Sequence, residues 1–369
     1  MVCATVSAQP YSSPPEDSTS APPISLDDGP HVFWQDDSTA VVMYYCDSAM
    51  SSQVHHVADT LRFRGTCGDT AIEYIVAASA PTPAPYEFDG ASRVMCISDI
   101  HGEMAHFSEI LVNAGVMDGR GHWTWGTGHL VVNGDVFDRG DRVTECLWLI
   151  YRLEREATSA GGAVHYLLGN HELMVIRGDL RYIHERYPLG IGHRKRVRYD
   201  ELFGPDMELG RWLRSKPTVI RIDDLLFVHG GLSPELMNGG FDAGAINQRV
   251  RQGLDVSAAR LLHDDTLQLL YSSYGPFWYR GLVRGLEGRY PAADEEHVDR
   301  ILDFFGAEQV VVGHSQLDSI SVLHGGRVVG VDVRVDKLGS QQAALWEDGT
   351  LYRVTGSGAR YPILDSARE

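Results

Sequence analysis

Five times along this chain a short apolar run stops at a turn of glycine and side chains that cannot be buried without a partner. The stretches read RVMCISDIHG, HLVVNGD, AVHYLLGNHE, LLFVHGG and QVVVGHS, all between Arg93 and Ser315. Helix-like segments such as AHFSEILVNAGV, VTECLWLIYRLEREATSA and EEHVDRILDFFG lie between them. Strands alternating with helices in this way predict an α/β domain with buried strands. Ligands in such sheets sit beyond the carboxyl ends of the strands. The pattern therefore predicts that Asp99, His101, Asp135, Asn170, His229 and His314 converge at one mouth.

Taken singly, these turns say little. An Asp capping a helix beside a surface His explains SDIHG about as well as chemistry does. GNHE after an apolar run is more telling, because two adjacent polar side chains there have no packing role. Five such turns, each ending a strand, point to a site. Carboxylate, imidazole and amide oxygen without thiolate suit divalent ions such as Mn, Fe or Zn. Six donors exceed what one tetrahedral ion needs and match two ions sharing a carboxylate.

The stretch VVNGDVFDRGDR carries five ionised groups behind a strand: Asp135, Asp138, Arg139, Asp141 and Arg142. Asp141 and Arg142 read as a solvated pair opening the next helix. Glu172 reads as a cap of its loop.

The rest of the chain sets bounds. Residues 1–27 are rich in Ser and Pro and predict a disordered tail. Within it, VSA resembles the end of a secretory signal, but the basic and apolar regions that should precede it are lacking. Cytoplasmic and exported locations both stay open. Residues 28–80 carry short β-branched and aromatic runs and predict a β-rich accessory region. Residues 81–92 predict a linker, 93–356 the catalytic domain, and 357–369 a C-terminal tail. Asp348-Gly349 marks a tight hairpin turn. Cys96 and Cys146 read as buried thiols, whereas Cys46 and Cys67 could pair in an oxidising compartment. No run reaches the roughly 18 apolar residues of a membrane span. The formal net charge of −18 argues against a nucleic-acid partner, since phosphate-backbone binding rests on clustered Lys and Arg. One basic run, His193 to Arg198, is either a solvated face or an attractor for an anionic substrate.

The series SDIHG, GDVFDRG, LLGNHE, VHGG and GHS resembles the calcineurin-like metallophosphoesterases, in particular the phosphoprotein phosphatase branch. Leu168 stands where eukaryotic serine/threonine phosphatases carry Arg, and their SDP and SAPNY motifs are not found. GPFWYRG (Gly275–Gly281) instead resembles the Shewanella-like protein phosphatases, a group with bacterial cold-active tyrosine phosphatases. Gln316 stands where the wider superfamily often has a second His. The resemblance implies a central β-sandwich flanked by helices, with the N-terminal β-rich extension added to it.

It also implies roles. Asp99, His101 and Asp135 would hold one divalent ion, and Asp135, Asn170, His229 and His314 a second. A bridging hydroxide would attack phosphorus directly. His171, oriented by Asp138, would protonate the leaving oxygen, although a His that only fixes its loop is the simpler alternative. Arg139 would grip the phosphate. Arg280 would be a second clamp, or else a structural partner of the aromatics beside it. Phe277, Trp278 and Tyr279 could wall the pocket or pack core, and Asp332 could orient an arginine. The implied partner is a phosphorylated protein or peptide, with a phosphotyrosine preference coming from the resemblance alone. Two alternatives stand beside it: hydrolysis of a nucleotide or dinucleoside polyphosphate at the same site, and a binding protein without turnover.

Overall fold

The structure is a computed structural model that describes residues 26–65, 67, 72–188 and 197–363. The N-terminal stretch 1–25 and most of the basic run, His193 to Arg196, lie outside the described residues.

Two six-stranded sheets form the centre. One runs β13 (Ser321–Leu323), β14 (Val328–Gly330), β12 (Gln309–Val312), β11 (Leu225–Val228), β10 (Val219–Ile222) and β6 (Glu87–Phe88). The other runs β17 (Arg360–Pro362), β16 (Thr350–Thr355), β15 (Gln342–Glu347), β7 (Arg93–Ile97), β8 (His129–Val132) and β9 (Ala163–Tyr166). The period of two in each strand divides its side chains between two cores. Val94, Cys96, Val131, Ile220, Phe227 and Val311 meet between the sheets. Their neighbours Met95, Ile97, Leu130, Val132, Val228 and Val310 pack outward beneath the helices. Strands buried on both faces are mostly apolar, so most of their polar residues wait for the strand ends; the buried His165 inside β9 is an exception and pairs with His129 at 3.1 Å. The result is an α/β domain with buried strands, as the strand–helix alternation predicts, arranged as the helix-flanked β-sandwich that the family resemblance implies.

Helix α1 (Met104–Asn113) follows β7, α2 (Val143–Ser159) follows β8, and α3 (Asn170–Ile176) follows β9. The face of α2 that is buried recurs every three or four residues, at Val143, Cys146, Leu147, Ile150, Leu153 and Ala157. β7, β8 and β9 pair in parallel, as do β11 and β12. Their carboxyl ends therefore point the same way within each sheet. The Asp348-Gly349 turn closes the β15–β16 hairpin with both residues at positive φ, 50° and 72°.

The N-terminal region forms an antiparallel sheet of β1 (Asp28–Asp36), β2 (Thr39–Cys46) and β3 (Ala49–His56), then a hairpin of β4 (Thr60–Arg64) and β5 (Glu73–Ala77). It docks through indole donors at both sides. Trp34 Nε1 donates to Glu208 at 2.8 Å, and Trp148 Nε1 on α2 donates to the Pro30 carbonyl at 2.8 Å. Cys46 and Cys67 are joined by a disulfide, and Cys96 and Cys146 are free and buried. Two short elements fall where the sequence predicts only connections. β6, inside the stretch read as a linker, pairs with β10, and β17 extends the sheet past residue 356.

Candidate active site

Four of the five strand ends line one cavity of about 250 Å³, and the fifth, after β11, places the buried His229 behind it against Asp135 and Asn170. Asp99, Asp135, Arg139, Asn170, His171 and His314 line it, with Arg280 and Asp332. Asp99, His101, Asp135, Asp138, Arg139 and His314 all adopt positive φ, half of the twelve non-glycine residues that do so among the described residues. Such backbone is costly for a side-chain-bearing residue and persists only where surroundings enforce it.

Glu172 supplies that enforcement at Asp135. Its carboxylate is fully buried and accepts from the backbone N–H of Gly169 at 2.6 Å and Asp135 at 2.8 Å. The other oxygen accepts from Val136 at 2.7 Å and Phe137 at 3.3 Å. One side chain on α3 thus clamps the whole turn after β8. Gly134 brings the two sheets together at the same point. With φ of 85° it passes so close that a Cβ would stand 2.7 Å from His229 Nδ1.

Hydrogen bonds fix the imidazoles. His101 Nδ1 donates to the Phe137 carbonyl at 2.8 Å, which leaves its Nε2 with a lone pair, buried and without a hydrogen-bond partner. His314 Nε2 is likewise buried and unpartnered. His229 Nδ1 donates to the Asn133 carbonyl at 2.7 Å. Its Nε2 therefore faces Asn170 Oδ1 at 3.0 Å and Asp135 Oδ2 at 3.2 Å, two acceptors. Only a proton or a cation relieves that meeting of lone pairs. Burial alone would lower the His229 pKa, but Asp135 and Asp99 outweigh it and push it up to about 10.

Asp135 is the common member. His101, Asp135 and His171 present donor atoms within 4.8 Å of one another, and so do Asp135, His229 and His314. Burial would raise the Asp135 carboxyl, yet the neighbouring His229 and His171 hold it well below the carboxylate range. Asp99 sits across from it, with Oδ1 3.9 Å from His101 Nε2 and Oδ2 accepting from Ser98 Oγ at 2.6 Å. Burial raises Asp99, and it raises Asp332 well above the carboxylate range, with Asp99 and Asp135 adding repulsion. Buried carboxylates crowding one cavity beside orphaned imidazole nitrogens are what divalent cations would neutralise. The donor set fits two such ions.

Around this centre, the structure sorts the remaining candidates. His171 Nδ1 meets Asp138 Oδ2 at 2.5 Å, and both side chains are buried. Burial works against a proton on His171, but Asp135 and Asp138 prevail and its pKa lies above the ordinary value. Arg280 Nη1 donates to the His314 carbonyl, so its guanidinium is anchored at the cavity edge. Phe277 and Tyr279 are core, whereas Trp278 lines the cavity. Asp141 and Arg142 are exposed at the start of α2 but do not pair with each other. Arg142 reaches Glu145 at 3.6 Å, and Arg186 reaches Asp141 at 3.5 Å, because the backbone turn points the two side chains apart. Tyr182 and Arg284 also line the cavity. The loop RGDLRYIHERY gives no periodicity or motif from which Tyr182 could have been picked.

The chain is similar to proteins already known. The model of the calcineurin-like phosphoesterase family matches residues 92–317. A solved cold-active protein-tyrosine phosphatase of a psychrophilic Shewanella species superposes with a TM-score of 0.84 at 34% identity, covering 92% of this chain and 100% of that one. Shewanella-like protein phosphatase 2 of Arabidopsis thaliana is 31% identical over 68% of this chain and 73% of its own length. A symmetrical bis(5'-nucleosyl)-tetraphosphatase of Haemophilus influenzae is 34% identical, but over only 29% of this chain and 34% of its own. The chain belongs to the calcineurin-like phosphoesterase family and is a metal-dependent phosphatase of Shewanella-like type.

Proposed function

We propose that the chain removes phosphate from phosphorylated proteins or peptides, with phosphotyrosine preferred, at a centre built around Asp135. The observation that carries this is the position of Asp135 in both donor trios, beside His229 and a buried His171–Asp138 pair. In this reading Asp99, His101 and Asp135 hold one divalent ion, and Asp135, Asn170, His229 and His314 the other. Two such ions, Mn, Fe or Zn by donor chemistry, supply positive charge against the phosphate oxygens and an activated water.

The protein's own residues do the rest. Arg139 and Arg280 face the cavity as planar forks that can each take two phosphate oxygens. His171, turned by its Nδ1 bond to Asp138, keeps Nε2 toward the cavity and gives a proton to the leaving oxygen. A positioned acid of this kind is worth roughly 10²–10⁴ in rate. The preference for protein substrates rests on the phosphatase relatives, which match over far more of the chain than the tetraphosphatase does. The Cys46–Cys67 bridge fits an oxidising compartment. Among the described residues no helix is long and apolar enough to cross a membrane.

The test is a substrate panel on metal-loaded protein: phosphotyrosine, phosphoserine and phosphothreonine peptides beside diadenosine tetraphosphate. Release of phosphate from the peptides, fastest from phosphotyrosine, supports the proposal. Turnover of the dinucleotide with inert peptides refutes it.

A further inference from the structure

The cavity has two aromatic walls that the donor set does not use. Trp278 stands edge-on to His314, with ring centroids 5.6 Å apart and planes at 86°. Tyr182 stands beside His171, with centroids 5.6 Å apart and planes at 53°. The two rings therefore flank different trios. Tyr182 is also one of the few large apolar side chains left exposed, at 49%.

Resting on the phosphatase reading above, we infer that Tyr182 is a specificity-determining residue whose ring receives the aromatic leaving group of an aryl phosphate. A proton donor has to meet the leaving oxygen, so whatever that oxygen carries lies on the His171 side of the cavity. Water adds to phosphorus with both its protons ending on the released phosphate, the P–O(aryl) bond breaks, and its electron pair stays on the phenolic oxygen, which takes the proton from His171 Nε2; one phosphate proton then returns to His171. The departing ring is thereby left against Tyr182. Trp278, on the His314 side, is placed away from it.

The ring is also held in register with the phosphate grip. Arg139 N–H donates to the Tyr182 carbonyl at 2.8 Å, joining the two loops at the backbone. Arg181 binds Asp179 through Nε at 2.8 Å and Nη2 at 2.7 Å, and its guanidinium lies 5.6 Å from the centre of the Tyr182 ring. A braced, half-exposed ring loses little freedom when a second ring packs on it. An alkyl ester, as in phosphoserine, presents no flat face there.

The experiment compares wild-type chain, Tyr182→Ala and Tyr182→Phe, all metal-loaded. Calorimetry reads the Kd for phenylphosphonate and methylphosphonate, which bind without turnover, and kinetics reads kcat/KM for phenyl phosphate and phosphoserine. Tyr182→Ala should weaken phenylphosphonate by about 5- to 10-fold and slow phenyl phosphate equally, with the alkyl ligands within about 2-fold. Tyr182→Phe should match wild type. Equal weakening of aryl and alkyl ligands, or no change in either, overturns the assignment. A protein that shows the aryl-to-alkyl binding ratio yet releases phosphate from neither ester still supports the role of Tyr182, and it contradicts the phosphatase reading instead.

Discussion

His171 Nδ1 lies 2.5 Å from Asp138 Oδ2, with both side chains buried. The pairing fixes which nitrogen of His171 faces the cavity. It also ties the start of α3 to the turn after β8. Asp138→Asn keeps the shape but removes the charge that orients and supports the imidazolium. We expect kcat to fall by roughly 10²-fold or more. His171→Ala should collapse kcat while the ions stay bound. The loss should be larger for phosphoserine than for a nitrophenyl ester, whose leaving oxygen needs less help from an acid. Metal lost from His171→Ala would make His171 a ligand and overturn its role as the acid.

Arg139 follows Asp138 directly and lines the cavity. Arg139→Ala should raise KM for phosphomonoesters by about 10- to 100-fold, the range of charge-assisted hydrogen bonds. Lysine at this position should recover only part of it, because a point charge cannot reproduce the planar fork. Unchanged steady-state kinetics would remove Arg139 from the phosphate site.

Glu172 accepts from four backbone N–H groups with no solvent exposure. Glu172→Gln puts an amide donor where backbone donors already point and removes the charge that holds them. It should destabilise the fold by about 2–4 kcal/mol in urea denaturation and weaken metal binding with it. A variant of wild-type stability would show that the turn stands without its clamp.

A different carboxyl sets a pH dependence. Glu145, on the first turn of α2, is pushed up to about 7, by burial and then by the charge of Asp28. Its ordinary value is 4.5. Between these two values the folded chain binds more protons than the unfolded one, so stability falls as pH rises. The contribution is fully present below about pH 4.5 and lost above about pH 7. Glu145→Gln should therefore be more stable than wild type at pH 8, by about 1–3 kcal/mol after allowance for the 29% exposure of the side chain, and melt higher. At pH 4.5 the difference should vanish in thermal melts. An equal difference at both pH values would assign the effect to packing instead.

The buried strands and much of the cavity lining were legible because both follow from local patterns, whereas the sandwich arrangement came from the family resemblance. Strands buried on two faces are mostly apolar, with His165 inside β9 an exception, so Asp99, Asp135, Asn170, His229 and His314 stand out as interruptions. What stayed hidden depends on long-range docking. β6 pairs through only two residues, Glu87 and Phe88, inside a Pro-rich stretch, and no short pattern announces it. Trp34 and Glu208 meet across 174 positions. Asp141 and Arg142 look like partners by adjacency, but successive side chains in a turn diverge, and Arg186 takes the aspartate from another loop. Tyr182 belongs to the same class. It becomes visible only once α3 and the turn after β8 have placed His171 beneath it.

On the proposed function, the site works through two divalent ions held around Asp135. Metal analysis of purified protein by inductively coupled plasma mass spectrometry, with phosphotyrosine-peptide hydrolysis followed on the same samples, tests it most directly. We expect two ions per chain, loss of activity on chelation, recovery on adding Mn, Fe or Zn, and loss of both ions in Asp135→Asn. Metal-free protein that hydrolyses the peptide at the full rate, or a fully active Asp135→Asn variant, would contradict it.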